Sequence, residues 1–481
     1  MNYNVLFKIT GTVLLWESAL MIPSLIIAIY DNSYDIKGFL ISIIIAGAIG
    51  LILKSFKSDI NDMRKREGYA TVAICWLVMS IIGALPFYIS RAIPSYIDAL
   101  FETISGFTTT GASILQDIES TPRALLFWRS FTHWIGGMGV LVFTLALIPS
   151  VGGRTVFLMR AESSGPAPGK LVPKLSESSK ILYIIYTVLT VIMIILLIIA
   201  GMPVFDSFIH AFGTAGTGGF SNKALSVGYY NNPYIDWIIT IGMFVFGINF
   251  TILYLLIKRD FKNVFKSEEL RLYISYVLIG ILVVFINALP NFQFDYSETM
   301  RHSAFTVSSL VSTTGFSTTD YNMWPMFSKV ILMTLMLFGS CAGSTAGGIK
   351  SIRLLVLFKS IFYEIKRTIH PNSVQTIKID NKSINDDTIK SILIFFFSFI
   401  IIIIIAVILV SFDNFDFMTT FSSVLAMISN IGPGFSLVGP MGNYADFSSF
   451  SKIVLSACMI FGRLEIIPVL ILLSPANWRK N

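Results

Sequence analysis

The chain has 481 residues, 54% of them hydrophobic and 13% charged, with 40 Phe and a formal net charge of +7; its mean hydropathy is +0.75. Soluble domains carry about 25% charged residues, so a water-soluble globular enzyme is excluded, and stretches such as 181–201 and 392–410 approach or reach the ~20 residues that cross a bilayer core. The chain reads as a polytopic helical membrane protein, in which the placement of basic residues matters more than their sum, so the charge does not point to nucleic acid.

In chain order, the apolar stretches predict ten crossings, over 7–30, 38–54, 69–90, 124–149, 180–202, 233–257, 271–290, 325–358, 389–411 and 450–474. The first lacks a small-residue cleavage site and is followed by further crossings, so it reads as a span and not as a cleaved signal. If the amino terminus is cytoplasmic, the inner segments are those holding Lys8, 54–68, 150–180, 258–271, 350–390 and the tail. They carry 26 of the 35 Lys and Arg, including Arg64-Lys65-Arg66 and Lys366-Arg367, against 8 in the outer segments, with Arg463 left inside an apolar stretch. That bias predicts both termini on the cytoplasmic side.

The outer segments hold Asp98, Asp206, Asp295, Glu298, Asp413 and Asp416. Either they form an acidic vestibule that concentrates cations, or they are ordinary solvated loops. Cys75, Cys341 and Cys458 lie far apart in apolar segments without metal or pairing spacing and read as small core residues. Glu17, alone in the first crossing, is a weaker functional candidate that a local cap or pair would equally explain.

Four outer segments share a pattern: ETISGFTTTGAS (102–113), HAFGTAGTGGFS (210–221), TVSSLVSTTGFS (306–317) and SSVLAMISNIGPGFS (422–436). Aligned on Gly111, Gly219, Gly315 and Gly432, they are separated by 108, 96 and 117 residues. A single Gly/Ser/Thr segment is an ordinary tight loop or packing seam, but four copies in corresponding places are an internal repeat of crossing, half-helix, glycine loop and crossing. About ten helix-compatible residues before each glycine rise ~15 Å, half a bilayer. The return must be extended backbone, which is tolerated at membrane depth only where it lines a cavity or is buried in protein. Four such hairpins around one axis would aim carbonyl oxygens and the negative ends of helix dipoles inward, and so replace the hydration shell of a monovalent cation. The filter candidates are Thr109, Thr110 and Gly111; Thr217, Gly218 and Gly219; Thr313, Thr314 and Gly315; and Asn430, Ile431 and Gly432.

After the third hairpin, Phe338-Gly339-Ser340-Cys341-Ala342-Gly343-Ser344-Thr345-Ala346-Gly347-Gly348-Ile349-Lys350 interrupts an apolar stretch. Its glycines disfavour continuous helix by about 1 kcal/mol each. A broken helix at this depth must line a cavity, so it is expected just inside the filter as a flexible gate; a small-residue packing seam is the plainer reading. Arg463, in Phe461-Gly462-Arg463-Leu464-Glu465, is an intramembrane charge and a functional candidate by default. It is expected to face the ion path or the broken helix, unless it forms a structural ion pair or reaches the inner surface. The gating candidates are Gly339, Gly343, Gly347, Gly348, Lys350 and Arg463.

With these hairpins, His133-Trp134-Ile135-Gly136-Gly137-Met138-Gly139, Arg160-Ala161-Glu162-Ser163-Ser164-Gly165-Pro166, the 339–350 segment and Gly462-Arg463-Leu464-Glu465, the whole chain resembles the TrkH/KtrB/HKT superfamily. Its two extra crossings before residue 60 and its length are those of the TrkH branch. The resemblance implies an all-α polytopic membrane protein with four pseudo-repeated helix–pore-loop–helix units around one pore, plus two N-terminal transmembrane helices. The units would be 61–153, 175–260, 268–365 and 385–481, after the helices in 1–60. It implies potassium uptake across a bacterial cytoplasmic membrane, with K+ as transported ion, no cofactor bound by this chain and no enzyme activity. It also implies a homodimer in membrane lipid, one pore per subunit, working with a cytoplasmic TrkA-type nucleotide-binding (RCK) regulatory protein. Glycine at all four filter positions goes with potassium passage in that family, whereas serine in the first repeat goes with sodium preference. The fourth repeat departs from Thr-x-Gly in a way family members share, and the Gly-Tyr-Gly of potassium channels is absent from every repeat.

A coupled secondary transporter would instead show inverted repeats around a midplane site, whereas these hairpins all lie on the outer side. The four histidines form neither His-Glu-x-x-His nor Gly-x-Ser-x-Gly arrangements of a hydrolase. Gly343–Gly348 follows no predicted strand and lacks a P-loop ending.

Overall fold

The computed structural model describes residues 3–56, 65–139, 175–370 and 376–474. Residues 140–149 of the fourth expected crossing, 150–174 of the inner segment with the Arg160–Pro166 motif, Arg64 and the basic tail lie outside the described residues.

The described residues form helices, joined by loops and one short antiparallel hairpin pairing Lys378–Ile379 with Lys382–Ser383. Among the described residues, six helices are long and apolar enough to cross a membrane: Tyr3–Tyr30, Ile36–Lys54, Glu67–Ile89, Ser179–Ile199, Glu268–Phe292 and Asp386–Asp413. The helix Asp386–Val410 has 25 residues, about 38 Å of rise. Its outward residues Ile394, Phe397, Ile401, Ile404 and Ile408 are exposed, an apolar face that only lipid satisfies. The protein is therefore an all-α, multi-pass membrane protein.

The other expected crossings are not single straight helices. Residues 233–257 form Pro233–Phe246 and Phe250–Ile257, bent by 102°, with Asn249 capping the second helix through the Thr251 amide. The stretch 325–358 gives only the 13-residue helix Met326–Phe338 before the chain leaves helical geometry; it resumes at Ser351. The last stretch breaks after Arg463, where Glu465 and Ile466 take positive φ. In the fourth, the described helix is Arg123–Gly137. Gly247, Asn249, Gly339 and Glu465 stand at these breaks.

The three cysteines are buried and form no disulfide among the described residues, as small core residues are. Glu17 is buried next to Gly83, and its carboxyl oxygens have no hydrogen-bond partner among the described residues, so neither a cap nor a local pair accounts for it.

Candidate functional site

Four short helices lead to the four glycines: Tyr96–Phe107, Val204–Gly216, Tyr296–Val311 and Phe417–Ile428. Three begin on side-chain caps: Ser95 accepts from the Asp98 amide, Asp295 from those of Ser297 and Glu298, and Asp416 from that of Thr419. Their lengths of 12, 13, 16 and 12 residues make half-spans of ~18–24 Å.

All four helices end in one backbone motif. Thr109, Thr217, Thr313 and Asn430 have φ of 54°, 56°, 57° and 54°, and their amides donate three residues back, at 3.1–3.2 Å. The amides of Thr110, Gly218, Thr314 and Ile431 donate five residues back, to Ser105, Gly213, Ser309 and Ala426, at 2.8–2.9 Å. These paired bonds are a Schellman cap with a left-handed residue. Left-handed backbone is uncommon for β-branched threonine, which makes the fourfold agreement a built feature. Each cap leads to a glycine of positive φ: 81°, 72°, 81° and 94° at Gly111, Gly219, Gly315 and Gly432.

The four loops close into a ring. A Cβ on Gly111 would lie 1.9 Å from the Gly218 carbonyl oxygen, one on Gly219 1.9 Å from that of Thr314, one on Gly315 2.1 Å from that of Ile431, and one on Gly432 2.5 Å from that of Thr110. Each glycine thus abuts the residue before the next repeat's glycine, and the fourth returns to the first. Of the twelve filter candidates, these contacts join Thr110, Gly111, Gly218, Gly219, Thr314, Gly315, Ile431 and Gly432, while Thr109, Thr217, Thr313 and Asn430 are the left-handed caps before them. No His, Cys, Asp or Glu cluster suited to a metal ion exists among the described residues.

Side chains that the sequence pattern did not single out hold each loop after its glycine. The Glu102 carboxylate accepts from the Ile114 amide at 2.9 Å, the Ser113 hydroxyl at 3.0 Å and Arg129 at 2.5 Å. His210 bonds Ser221 at 3.1 Å, Ser309 donates to the Phe316 carbonyl at 2.7 Å, and Ser422 accepts from the Phe435 amide at 2.8 Å. His133 lies against Gly218, bonded to the Gly106 carbonyl at 2.7 Å and to the Phe220 amide at 3.3 Å. A polar side chain in the half-helix aimed at the strand beyond the glycine is a signal visible only once the hairpin is folded.

The seams between repeats are polar as well. Arg129 donates to the Ser221 carbonyl at 2.9 Å, Gly228 to that of Ser317 at 3.1 Å, Asn322 to that of Ser436 at 3.2 Å, and Tyr444 to that of Ser113 at 2.8 Å. Most of the outer acidic residues also have structural partners. Asp98 pairs with Lys452 at 2.8 Å, Asp206 accepts from Asn222 and Tyr230 at 2.6 Å each, Asp295 and Asp416 are caps, and Asp413 accepts from the Ser448 amide. Bonds from the Thr419 hydroxyl and amide hold the Asp416 carboxyl below its ordinary range.

The segment from Gly339 to Lys350 is irregular, with positive φ at Gly339, Gly343, Gly348 and Lys350. Its hydrogen bonds reach the second, third and fourth repeats. Gly347 N–H donates to the Thr313 hydroxyl at 2.8 Å and Ser340 to the Val311 carbonyl at 2.9 Å. Cys341 N–H donates to Gly247, and the Phe250 amide donates to Gly343, both at 3.1 Å. Arg463 donates to the Thr345 carbonyl and to that of Gly137, both at 2.7 Å, and to that of Gly136. Lys350 bonds back to the Ala346 carbonyl. Arg463 therefore faces the broken helix, one of its two expected places, and joins it to the end of Arg123–Gly137. Glu465 pairs instead with Arg353 at 2.5 Å.

The TrkH family profile, described as a cation transport protein, matches residues 33–480. The chain belongs to the TrkH family. It is 36% identical to the Trk system potassium uptake protein TrkH of Salmonella typhimurium over 488 residues, covering 100% of both chains. It is 34% identical to the Trk system potassium uptake protein TrkG of Escherichia coli, covering 97% of each. Among solved structures, the potassium transporter TrkH from Vibrio parahaemolyticus superposes with a TM-score of 0.88 at 30% identity, over 100% of both chains. Membership of this transport family sets the chain apart from enzymes.

Proposed function

We propose that this chain carries out potassium uptake across a bacterial cytoplasmic membrane through the four-glycine ring. The observation that carries this reading is the cyclic contact of the four loops, in which each glycine meets the residue before the next repeat's glycine where four half-helices end. Carbonyl dipoles and helix C-termini favour a dehydrated monovalent cation there, and the relatives are named as potassium uptake proteins. Thr109 to Gly111, Thr217 to Gly219, Thr313 to Gly315 and Asn430 to Gly432 are the filter, within pore units 61–153, 175–260, 268–365 and 385–481.

The same reading makes Gly339–Lys350 the gate. This segment bonds to the second, third and fourth repeats and is tied to the first through Arg463, and its small residues allow two backbone arrangements of similar energy, as a switch requires. Arg463 stabilises the obstructing arrangement by holding Thr345, and Lys350 holds Ala346. The inner basic face, with eight Lys or Arg in 350–390, suits docking of a TrkA-type nucleotide-binding ring. Both termini are placed inside, and the chain works as a homodimer. The deciding experiment is flux through purified protein in liposomes under matched potassium and sodium gradients. Potassium flux that exceeds sodium flux, and that falls in ratio when Gly111 is replaced, supports the reading; equal flux of both ions refutes it. Full regulated uptake in cells lacking every cytoplasmic nucleotide-binding ring protein would refute the partner.

A further inference from the structure

The four glycines are not equivalent. Gly111, Gly219 and Gly315 are partly exposed, and their carbonyl oxygens accept no hydrogen bond among the described residues. Gly432 is buried, and its carbonyl accepts a bond from the Tyr444 hydroxyl at 2.8 Å. Its backbone differs too, with φ of 94° against 81°, 72° and 81°. Its ideal Cβ lies 2.5 Å from the neighbouring carbonyl oxygen, where the other three lie at 1.9–2.1 Å.

Tyr444 is firmly placed for this contact. It is buried, its amide donates to the Ser113 carbonyl at 2.8 Å, and its ring packs against Phe101 and Phe447 at centroid distances of 5.7 and 5.3 Å. The neighbouring Tyr321 binds the Gly434 carbonyl at 3.0 Å, so two buried phenols fix the outward strand of the fourth repeat. In the other repeats the half-helix residues that hold the strand leave the glycine carbonyl free.

We infer that Tyr444 is a specificity-determining residue of the ion path: its hydroxyl withholds the Gly432 carbonyl, so a monovalent cation at the glycine level meets three main-chain oxygens instead of four. This rests on the filter reading above. The number and field of coordinating carbonyls set discrimination between potassium and sodium, and a level with one oxygen missing leaves room for water beside the ion. Tyr444→Phe keeps the ring packing and removes the proton. The Gly432 carbonyl then stands buried without a donor, which is unfavourable, and it gains a partner by turning toward the ion path.

The test compares parent protein, Tyr444→Phe and Gly111→Ser as full chains in liposomes, reading the potassium-to-sodium permeability ratio under opposed gradients and total flux separately. Tyr444→Phe is expected to raise the ratio by about threefold or more, a change of ~0.65 kcal/mol. A purely structural role scales both ions alike, so an unchanged or lowered ratio overturns the inference. If Gly111→Ser lowers the ratio while Tyr444→Phe does not raise it, this inference alone fails; if neither moves it, the filter reading fails. Should Tyr444→Phe not assemble, a potassium-bound structure of the parent decides: three glycine carbonyls on the ion support the inference, and four overturn it.

Discussion

Replacing Gly111 with Ser places a side chain where the structure has no room for one. The new Cβ would lie 1.9 Å from the Gly218 carbonyl oxygen, whereas real Cβ contacts do not fall below 3.0 Å, so one of the two loops moves by at least 1.1 Å. The obstacle is backbone, not a side-chain end that rotates away. The residue must also keep φ near 81°, a left-handed conformation costing about 1–2 kcal/mol for a residue with a Cβ. A displacement of this size exceeds the difference in radius between sodium and potassium. It disturbs carbonyls of the first and second repeats together, while the Schellman caps and the Glu102 contacts keep the hairpins folded. The expected result is a roughly tenfold fall in the potassium-to-sodium permeability ratio, about 1.4 kcal/mol, with normal protein levels. Ion flux in liposomes, read for both ions on the same preparation, measures it. An unchanged ratio in well-folded protein would remove Gly111 from the ion path and refute the ring as a filter.

The same geometry ranks alanine substitutions at the four glycines: the ratio should fall most at Gly111 and Gly219, less at Gly315 and least at Gly432, following the 1.9, 1.9, 2.1 and 2.5 Å contacts; the reverse order would contradict it. Deleting part of 340–347, or replacing Arg463 with Ala, removes the bonds to Thr345, Gly136 and Gly137 and should raise partner-free flux while the ion ratio stays at the parent value; liposome flux as low as the parent's would show that neither element obstructs the pore. Glu102→Ala leaves Arg129 buried without its partner and should cost about 3–5 kcal/mol, seen as loss of folded protein in thermal unfolding. Asp416→Ala removes an exposed cap and should cost only about 1 kcal/mol, with transport retained. Because the Asp416 carboxyl is held below its ordinary range, its contribution is complete above the unfolded carboxylate range and is lost as pH falls through the lowered value, so parent and variant should converge in acid.

Membrane residence and the repeat were legible from residue order alone. Long apolar runs have one stable outcome in lipid, because a helix satisfies its own backbone, and this sufficed to place the span at Asp386–Val410. The glycine loops were legible because Thr-Thr-Gly and its variants recur at corresponding positions, and recurrence survives without knowledge of contacts. The irregular segment at 339–350 was readable from its glycines, which weaken helix wherever they cluster.

What residue order left undecided was everything set by partners distant in sequence. Arg463 was recognisable as a buried charge, but its bond to Thr345 spans 118 positions, and only the packed repeats choose that carbonyl over the ion path. Glu102, His210, Ser309 and Ser422 look like ordinary half-helix residues until the hairpin closes and brings the returning strand within 3.1 Å. The outer aspartates read equally as vestibule or solvated loop, and tertiary contacts gave most of them caps and pairs. Gly432 aligns with the other three glycines in sequence, yet Tyr444, twelve residues further on, turns its carbonyl to a different partner. Local propensity acts along the chain, whereas the orientation of a carbonyl depends on which donor folding brings beside it, and that is decided by packing.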